Sequence, residues 1–114
     1  MGVSSSSPGV NLNSVEAKFI REKIAENCVV IFSKTQCPYC TQAKGIFKNL
    51  NVSYEVVELD KITNGHEVGA VLVNMTNART VPRVFVKGQC VGGASETIAL
   101  YKSGQLAKMV EGCS

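Results

Sequence analysis

The run Cys28-Val29-Val30-Ile31-Phe32 constrains the fold more than any other stretch of the chain. Five consecutive apolar residues without alternation suit a strand buried on both faces. Such a strand needs a covering layer on either side, and helical patterns flank it. Ser14 stands where a helix N-cap is preferred, and Val15, Phe19, Ile20 and Ile24 follow at helical spacing up to Asn27. Ala43, Ile46, Phe47 and Leu50 mark one face of a second helix. Tyr54, Val56, Val57 and Leu59 give a second strand running to Asp60. A third helix is expected from about Glu67 to Met75, using Val68, Val71 and Leu72.

Val84-Phe85-Val86 and Cys90-Val91 read as the third and fourth strands, joined as a hairpin through the turn Lys87-Gly88-Gln89. Ile98, Leu100, Tyr101, Leu106, Met109 and Val110 then predict one C-terminal helical segment, broken near Ser103-Gly104. The order α-β-α-β-α-β-β-α predicts an α/β fold with a mixed four-stranded sheet flanked by helices. Residues 1–13 are small and polar and are expected to form a flexible tail ahead of one domain at 14–114. The start also matches the Met-Gly-x-x-x-Ser pattern for N-myristoylation through Gly2 and Ser6, although a plain terminus is the simpler expectation.

The chain has 114 residues, 45% of them hydrophobic and 18% charged, which argues for a globular protein over a disordered one. Its net charge of +3 comes without a run of like charges. That is too weak for a nucleic-acid footprint and better suited to a small anionic ligand. No apolar stretch approaches the ~18 residues needed to span a membrane, and no signal peptide is expected. The expected setting is cytoplasmic, or mitochondrial if the sequence is a processed form.

Five cysteines, an odd number, cannot all pair within one chain. In an intracellular setting they are usually reduced, catalytic or metal-bound. Cys37 falls where the first strand gives way to the second helix. There the helix N-terminus offers partial positive charge and free N–H donors, and Lys34 adds a full charge nearby. Both effects lower a thiol pKa from its free value of about 8.5. Cys40, about one helical turn on, can attack a mixed disulfide on Cys37 and is expected to be the more buried. Cys37 is therefore the expected nucleophile and Cys40 the resolving thiol. Cys-x-x-Cys is also half of a zinc site, but no second matching pair is present and His66 is the only histidine.

In order along the chain, Cys37-Pro38-Tyr39-Cys40, Thr80-Val81-Pro82 and Gly92-Gly93 ahead of a helix resemble a dithiol glutaredoxin of the thioredoxin-like fold. The likeness runs from about Ser14 to the C-terminus. Thioredoxin is the near neighbour, but its pair is usually Cys-Gly-Pro-Cys preceded by Trp, and this chain has no Trp. The resemblance implies a cis Pro82 facing the cysteine pair, with the Val81 backbone turned outward to pair with a peptide. It implies glutathione as co-substrate. Lys34 would hold the glycine carboxylate, Tyr39 would pack beside the sulfur, and Val81, within the Thr80-Val81-Pro82 loop, would pair with the cysteine backbone. The γ-Glu carboxylate would lie after Gly93 on the N–H groups of Ala94, Ser95 and Glu96, a helix N-terminus suited to an anion.

The implied activity is glutathione-dependent thiol–disulfide exchange. Protein–glutathione mixed disulfides would be reduced by a monothiol route through Cys37, and protein disulfides by a dithiol route through Cys37 and Cys40. Partners would be glutathione, glutathionylated proteins, protein disulfides and, indirectly, the glutathione reductase/NADPH system. The chain would act as a monomer, with no nucleic acid, and with no membrane unless Gly2 is myristoylated.

Two positions depart from the family pattern. Glu96 stands where the family often has Asp. On the third helix the family often offers Gln or Arg to the glycine carboxylate, where this chain has Gly69, with His66 and Glu67 nearby and Arg79 as a substitute. Cys28 and Cys113 resemble the vertebrate mitochondrial-type branch, in which such a pair can form a structural disulfide. The alternative is a buried apolar Cys28 and a free thiol at Cys113. That branch usually carries Ser where Pro38 stands, and the serine form is associated with a glutathione-ligated [2Fe-2S] cluster between two subunits. A cluster-binding dimer using Cys37 is thus the alternative function, although Pro38 stiffens the turn and removes an N–H. Cys90, on the edge hairpin, is expected to be a small core residue.

Overall fold

A computed structural model describes residues 13–114. The N-myristoylation pattern at Gly2 and residues 1–12 of the expected tail lie outside the described residues. Every residue of the first strand, β1 (Val29–Ser33), is buried, as an unbroken apolar run requires. The remaining elements are α1 (Val15–Glu26), α2 (Pro38–Asn49), β2 (Glu55–Glu58), α3 (Gly65–Thr76), β3 (Arg83–Val86), β4 (Gln89–Gly92), α4 (Ala94–Lys102) and α5 (Gln105–Met109). The sheet order is β2-β1-β3-β4. β1 runs parallel to β2 and antiparallel to β3, and β3 runs antiparallel to β4. This is the mixed four-stranded sheet of the thioredoxin-like fold.

Successive strand residues point to opposite faces, and the two cores divide on that parity. Val30, Phe32, Val57 and Phe85 pack beneath α1 and α3 with Ile20, Val68 and Leu72. Val29, Ile31, Val84 and Val86 pack on the other face with Phe47 of α2 and Leu106 of α5. Phe32 and Phe85 meet edge to face, 5.7 Å between ring centroids. Each such fully buried side chain contributes roughly 1.5–3 kcal/mol of transfer free energy. Lys23 of α1 and Lys44 of α2 each reach across to β2, pairing with Glu55 and Glu58 at 2.7 Å. These part-exposed pairs are worth about 0–1 kcal/mol each, and they place charge along an edge strand.

Local chemistry sets the element ends. Ser14 Oγ accepts the Ala17 N–H at 3.1 Å and caps α1. The C-terminal segment breaks at Gly104, which takes a left-handed φ of 82° between α4 and α5. The hairpin turn is shorter than expected. Lys87 and Gly88 both have positive φ, forming a two-residue connection, and Gln89 already belongs to β4. β2 spans four residues, and the Leu59 N–H closes its pairing with β1 by donating to the Ser33 carbonyl at 2.8 Å.

Cys90 corrects an expectation: it is exposed. It pairs in register with Phe85 and so points to the α1/α3 face, but β4 is the outermost strand beyond the cover of those helices. At the opposite end of β1 from the 34–37 turn, Cys28 and Cys113 are joined as a disulfide, with Cα atoms 5.9 Å apart. The C-terminus is further fixed where Ser53 donates its N–H to the Ser114 carbonyl at 2.9 Å.

Candidate active site

The site is built where β1 stops and α2 starts. Pro38 occupies the first turn of α2, where its missing N–H costs nothing and its fixed φ suits the helix. Cys37 is the N-cap: its sulfur accepts the Cys40 N–H at 3.2 Å, in the place usually taken by a Ser or Asp oxygen. The sulfur thus sits on the positive end of α2. Cys37 is part-buried, whereas Cys40 is fully buried. The two are joined as a disulfide with Cα atoms 5.2 Å apart.

The approach to this turn is anchored by Asp60. Its carboxylate accepts the Thr35 N–H at 3.0 Å and also the Thr35 hydroxyl. The Thr35 hydroxyl bond holds the Asp60 carboxyl below its ordinary pKa, with the Thr35 amide adding to the effect. Nothing in the sequence marked this contact, because Asp60 and Thr35 meet only through the parallel pairing of β1 with β2.

The Val81–Pro82 peptide bond is cis. Pro82 is buried, and the Val81 carbonyl lies 3.9 Å from the Cys37 sulfur. Arg83, which sequence reasoning missed, clamps this loop. Its Nε donates to the Thr80 carbonyl at 2.9 Å and to the Pro82 carbonyl at 3.1 Å, and its Nη2 donates to Thr80 Oγ1 at 3.2 Å. The only signal was its place directly after Pro82.

Two cavities flank the loop. The smaller, about 330 Å³, is lined by Tyr39, Thr80, Val81 and Pro82 on one side. Gly93, Ala94, Ser95 and Glu96 line its other side, at the N-terminus of α4. Gly93 lets the backbone come close: a Cβ there would stand 2.6 Å from the Arg83 guanidinium. Glu96 Oε1 accepts the Gly93 N–H at 2.9 Å, and that bond holds the Glu96 carboxyl below its ordinary pKa. The larger cavity, about 490 Å³, lies on the Lys34 side and is bordered also by Asp60, His66, Gly69 and Arg79. Thr80, Val81 and Arg83 line both. Thus Lys34 faces one cavity and the α4 N-terminus the other, with the cis-proline loop between them. Cys28 and Cys113 lie away from both. Among the described residues, no group of three or more His, Cys, Asp or Glu side chains is placed to hold a metal ion.

Comparison with known proteins gives the architecture its family. The glutaredoxin family model matches residues 29–91, from the start of β1 into β4. The chain belongs to the glutaredoxin family. It is 50% identical over 103 residues to the mitochondrial glutaredoxin-2 of Pongo abelii, covering 90% of this chain and 64% of that one. It is 49% identical over 113 residues to the mitochondrial glutaredoxin-2 of Bos taurus, covering 99% and 72%. The chain thus spans about two thirds of the length of the curated relatives it matches. A crystal structure of a buckwheat glutaredoxin–glutathione complex superposes with a TM-score of 0.83 at 34% identity, covering 86% of this chain and 89% of that chain. Within this family frame, Cys37 and Cys40 form a dithiol active site.

Proposed function

We propose that the chain is a glutathione-dependent thiol–disulfide oxidoreductase that reduces protein–glutathione mixed disulfides and protein disulfides. The observation that carries this reading is the Cys37 sulfur, seated on the α2 N-terminus and 3.9 Å from the Val81 carbonyl. In the monothiol route the Cys37 thiolate attacks the glutathione sulfur of a mixed disulfide. The bond to the client cysteine breaks, and the client leaves as a thiolate that takes up a proton. A second glutathione thiolate then attacks the glutathione sulfur on Cys37, giving glutathione disulfide and restoring the Cys37 thiolate. In the dithiol route Cys37 attacks a client disulfide, and Cys40 loses its proton and attacks the Cys37 sulfur, which releases the client as a dithiol. Two glutathiones reduce the resulting Cys37–Cys40 disulfide. Exchange of this kind needs an attacking thiol that is ionised near neutrality and also leaves well.

Glutathione is the co-substrate on this reading, with its γ-Glu carboxylate on the Gly93, Ala94, Ser95 and Glu96 turn. Its cysteine lies along Val81 between Tyr39 and Pro82, and its glycine end points towards Lys34. The placement of basic Lys34 and a helix N-terminus on opposite sides of one loop suits a tripeptide with a carboxylate at each end. That a buckwheat family member was crystallised with glutathione supports it. The mitochondrial names of the relatives favour a mitochondrial over a cytoplasmic setting. The alternative, a [2Fe-2S] dimer on Cys37, has less support, because Pro38 leaves the turn one N–H fewer.

The test is turnover of a glutathionylated peptide by the reduced chain, with glutathione as electron donor. Cys37→Ser abolishes it on this proposal, and a colourless monomer carries the activity. Turnover retained in Cys37→Ser, or activity confined to a coloured dimer, contradicts it.

A further inference from the structure

The larger cavity is unexplained by glutathione alone. Its volume of about 490 Å³ lies within the range of about 300–1,000 Å³ that accommodates a whole small molecule. The single glycine residue of the tripeptide is small beside that volume. Gly69 leaves one part of the cavity wall without a side chain. That residue lies inside α3 in ordinary helical backbone, where glycine weakens a helix and no positive φ calls for it. Packing does not call for it either. A Cβ there would have Leu59 Cδ1, at 3.9 Å, as its nearest neighbour beyond the helix's own backbone.

The lining is chemically two-sided. Leu59, Leu72 and Val73 supply an apolar wall, whereas Lys34 and Arg79 supply cationic groups. Asp60 is the one acidic lining residue, an anion fixed on the Thr35 amide and hydroxyl, so that the two cations outnumber it. An apolar side chain ending in a carboxylate matches this combination.

We propose that the cavity beside Gly69 is an extension subsite that takes a further apolar, carboxylate-ended residue joined to the glycine of glutathione. γ-Glu-Cys-Gly peptides lengthened at the C-terminus are then substrates alongside glutathione itself. The inference rests on the orientation of glutathione proposed above, with glycine on the Lys34 side. The chemistry is unchanged: Cys37 attacks the sulfur of the lengthened peptide, the client thiol leaves, and glutathione supplies the electrons that restore Cys37.

Two mixed disulfides of one cysteine-containing client peptide provide the test, one with glutathione and one with the tetrapeptide γ-Glu-Cys-Gly-Leu. The wild-type chain is expected to turn over both, with kcat/KM values within about threefold of each other. Gly69→Gln adds a side chain into the open space and favours the helix. It is expected to lower kcat/KM for the tetrapeptide by about tenfold or more, in line with the cost of misfit in a shaped pocket, while glutathione's value holds or rises. Arg79→Ala is expected to lower both values, the tetrapeptide's by more than glutathione's. A wild-type preference for glutathione of more than about tenfold, or an equal effect of Gly69→Gln on both substrates, overturns the extension subsite while leaving the glutathione reading intact. Failure of the wild-type chain on both substrates overturns the two together.

Discussion

Arg83 holds Thr80 at two points, its Nε on the Thr80 carbonyl at 2.9 Å and its Nη2 on the Thr80 hydroxyl at 3.2 Å. The same guanidinium fills the space beside Gly93. One side chain therefore joins the cis-proline loop to the start of α4, the two walls of the smaller cavity.

Arg83→Ala removes those bonds and frees the loop to move against Cys37. Steady-state kinetics on a glutathionylated peptide are expected to show kcat/KM lowered about tenfold, mostly through KM, as loss of charge-assisted bonds implies. Arg83→Lys recovers only part, because an ammonium cannot reproduce the planar fork. An unchanged KM in Arg83→Ala would show that the loop needs no clamp.

Gly93→Ala attacks the same junction from the other side. A methyl group 2.6 Å from the guanidinium forces Arg83 or the α4 N-terminus to shift. KM for the glutathionylated peptide is expected to rise about tenfold, comparable with Arg83→Ala, and the double variant to be less than additive because the two positions touch. Strict additivity in the double-mutant cycle contradicts a shared junction.

Glu96 gives the α4 cap a pH dependence. The Gly93 hydrogen bond depresses its folded pKa below the ordinary 4.5. A depressed carboxylate stabilises the fold above its unfolded pKa, and that contribution fades as pH falls through the folded value. Thermal midpoints of wild type and Glu96→Gln are expected to differ at pH 6–7, wild type being higher, and to converge at strongly acidic pH. A constant gap across that range would remove the carboxylate from the cap.

The Cys28–Cys113 disulfide closes a loop with a sequence separation of 85. On the chain-entropy model such closure stabilises by about 4–5 kcal/mol. Cys28→Ser in the chain with Cys37 and Cys40 reduced is expected to lower the urea midpoint by that equivalent. Its activity should stay within about twofold of wild type, since Cys28 and Cys37 flank opposite ends of β1 and additive, uncoupled effects are expected at such separation. No change in the midpoint would mean that the pair contributes nothing to the fold.

Much of this was legible because the decisive signals are local. An unbroken apolar run has few outcomes other than a central strand, and Cys37, Pro38 and Cys40 declare a helix N-terminus through their own capping chemistry. The features that escaped are tertiary. Cys90 was expected in the core because its hairpin alternates correctly, but burial depends on whether α1 and α3 extend over β4, which no residue of β4 encodes. Arg83 looked like an ordinary strand residue until the loop folded back to put the Thr80 carbonyl within its reach. Gly69 was visible as a departure from the family pattern, but the room beside it depends on Leu59, whose side chain reaches it from the end of β2.

Turnover depends on Cys37 being a thiolate at neutral pH, held so by the α2 N-terminus. The direct measurement is the pH dependence of alkylation at Cys37 in the fully reduced chain, resolved from the other four cysteines by peptide mapping. The midpoint is expected below neutrality, well under the free-thiol value of about 8.5. A midpoint above pH 8 contradicts the account.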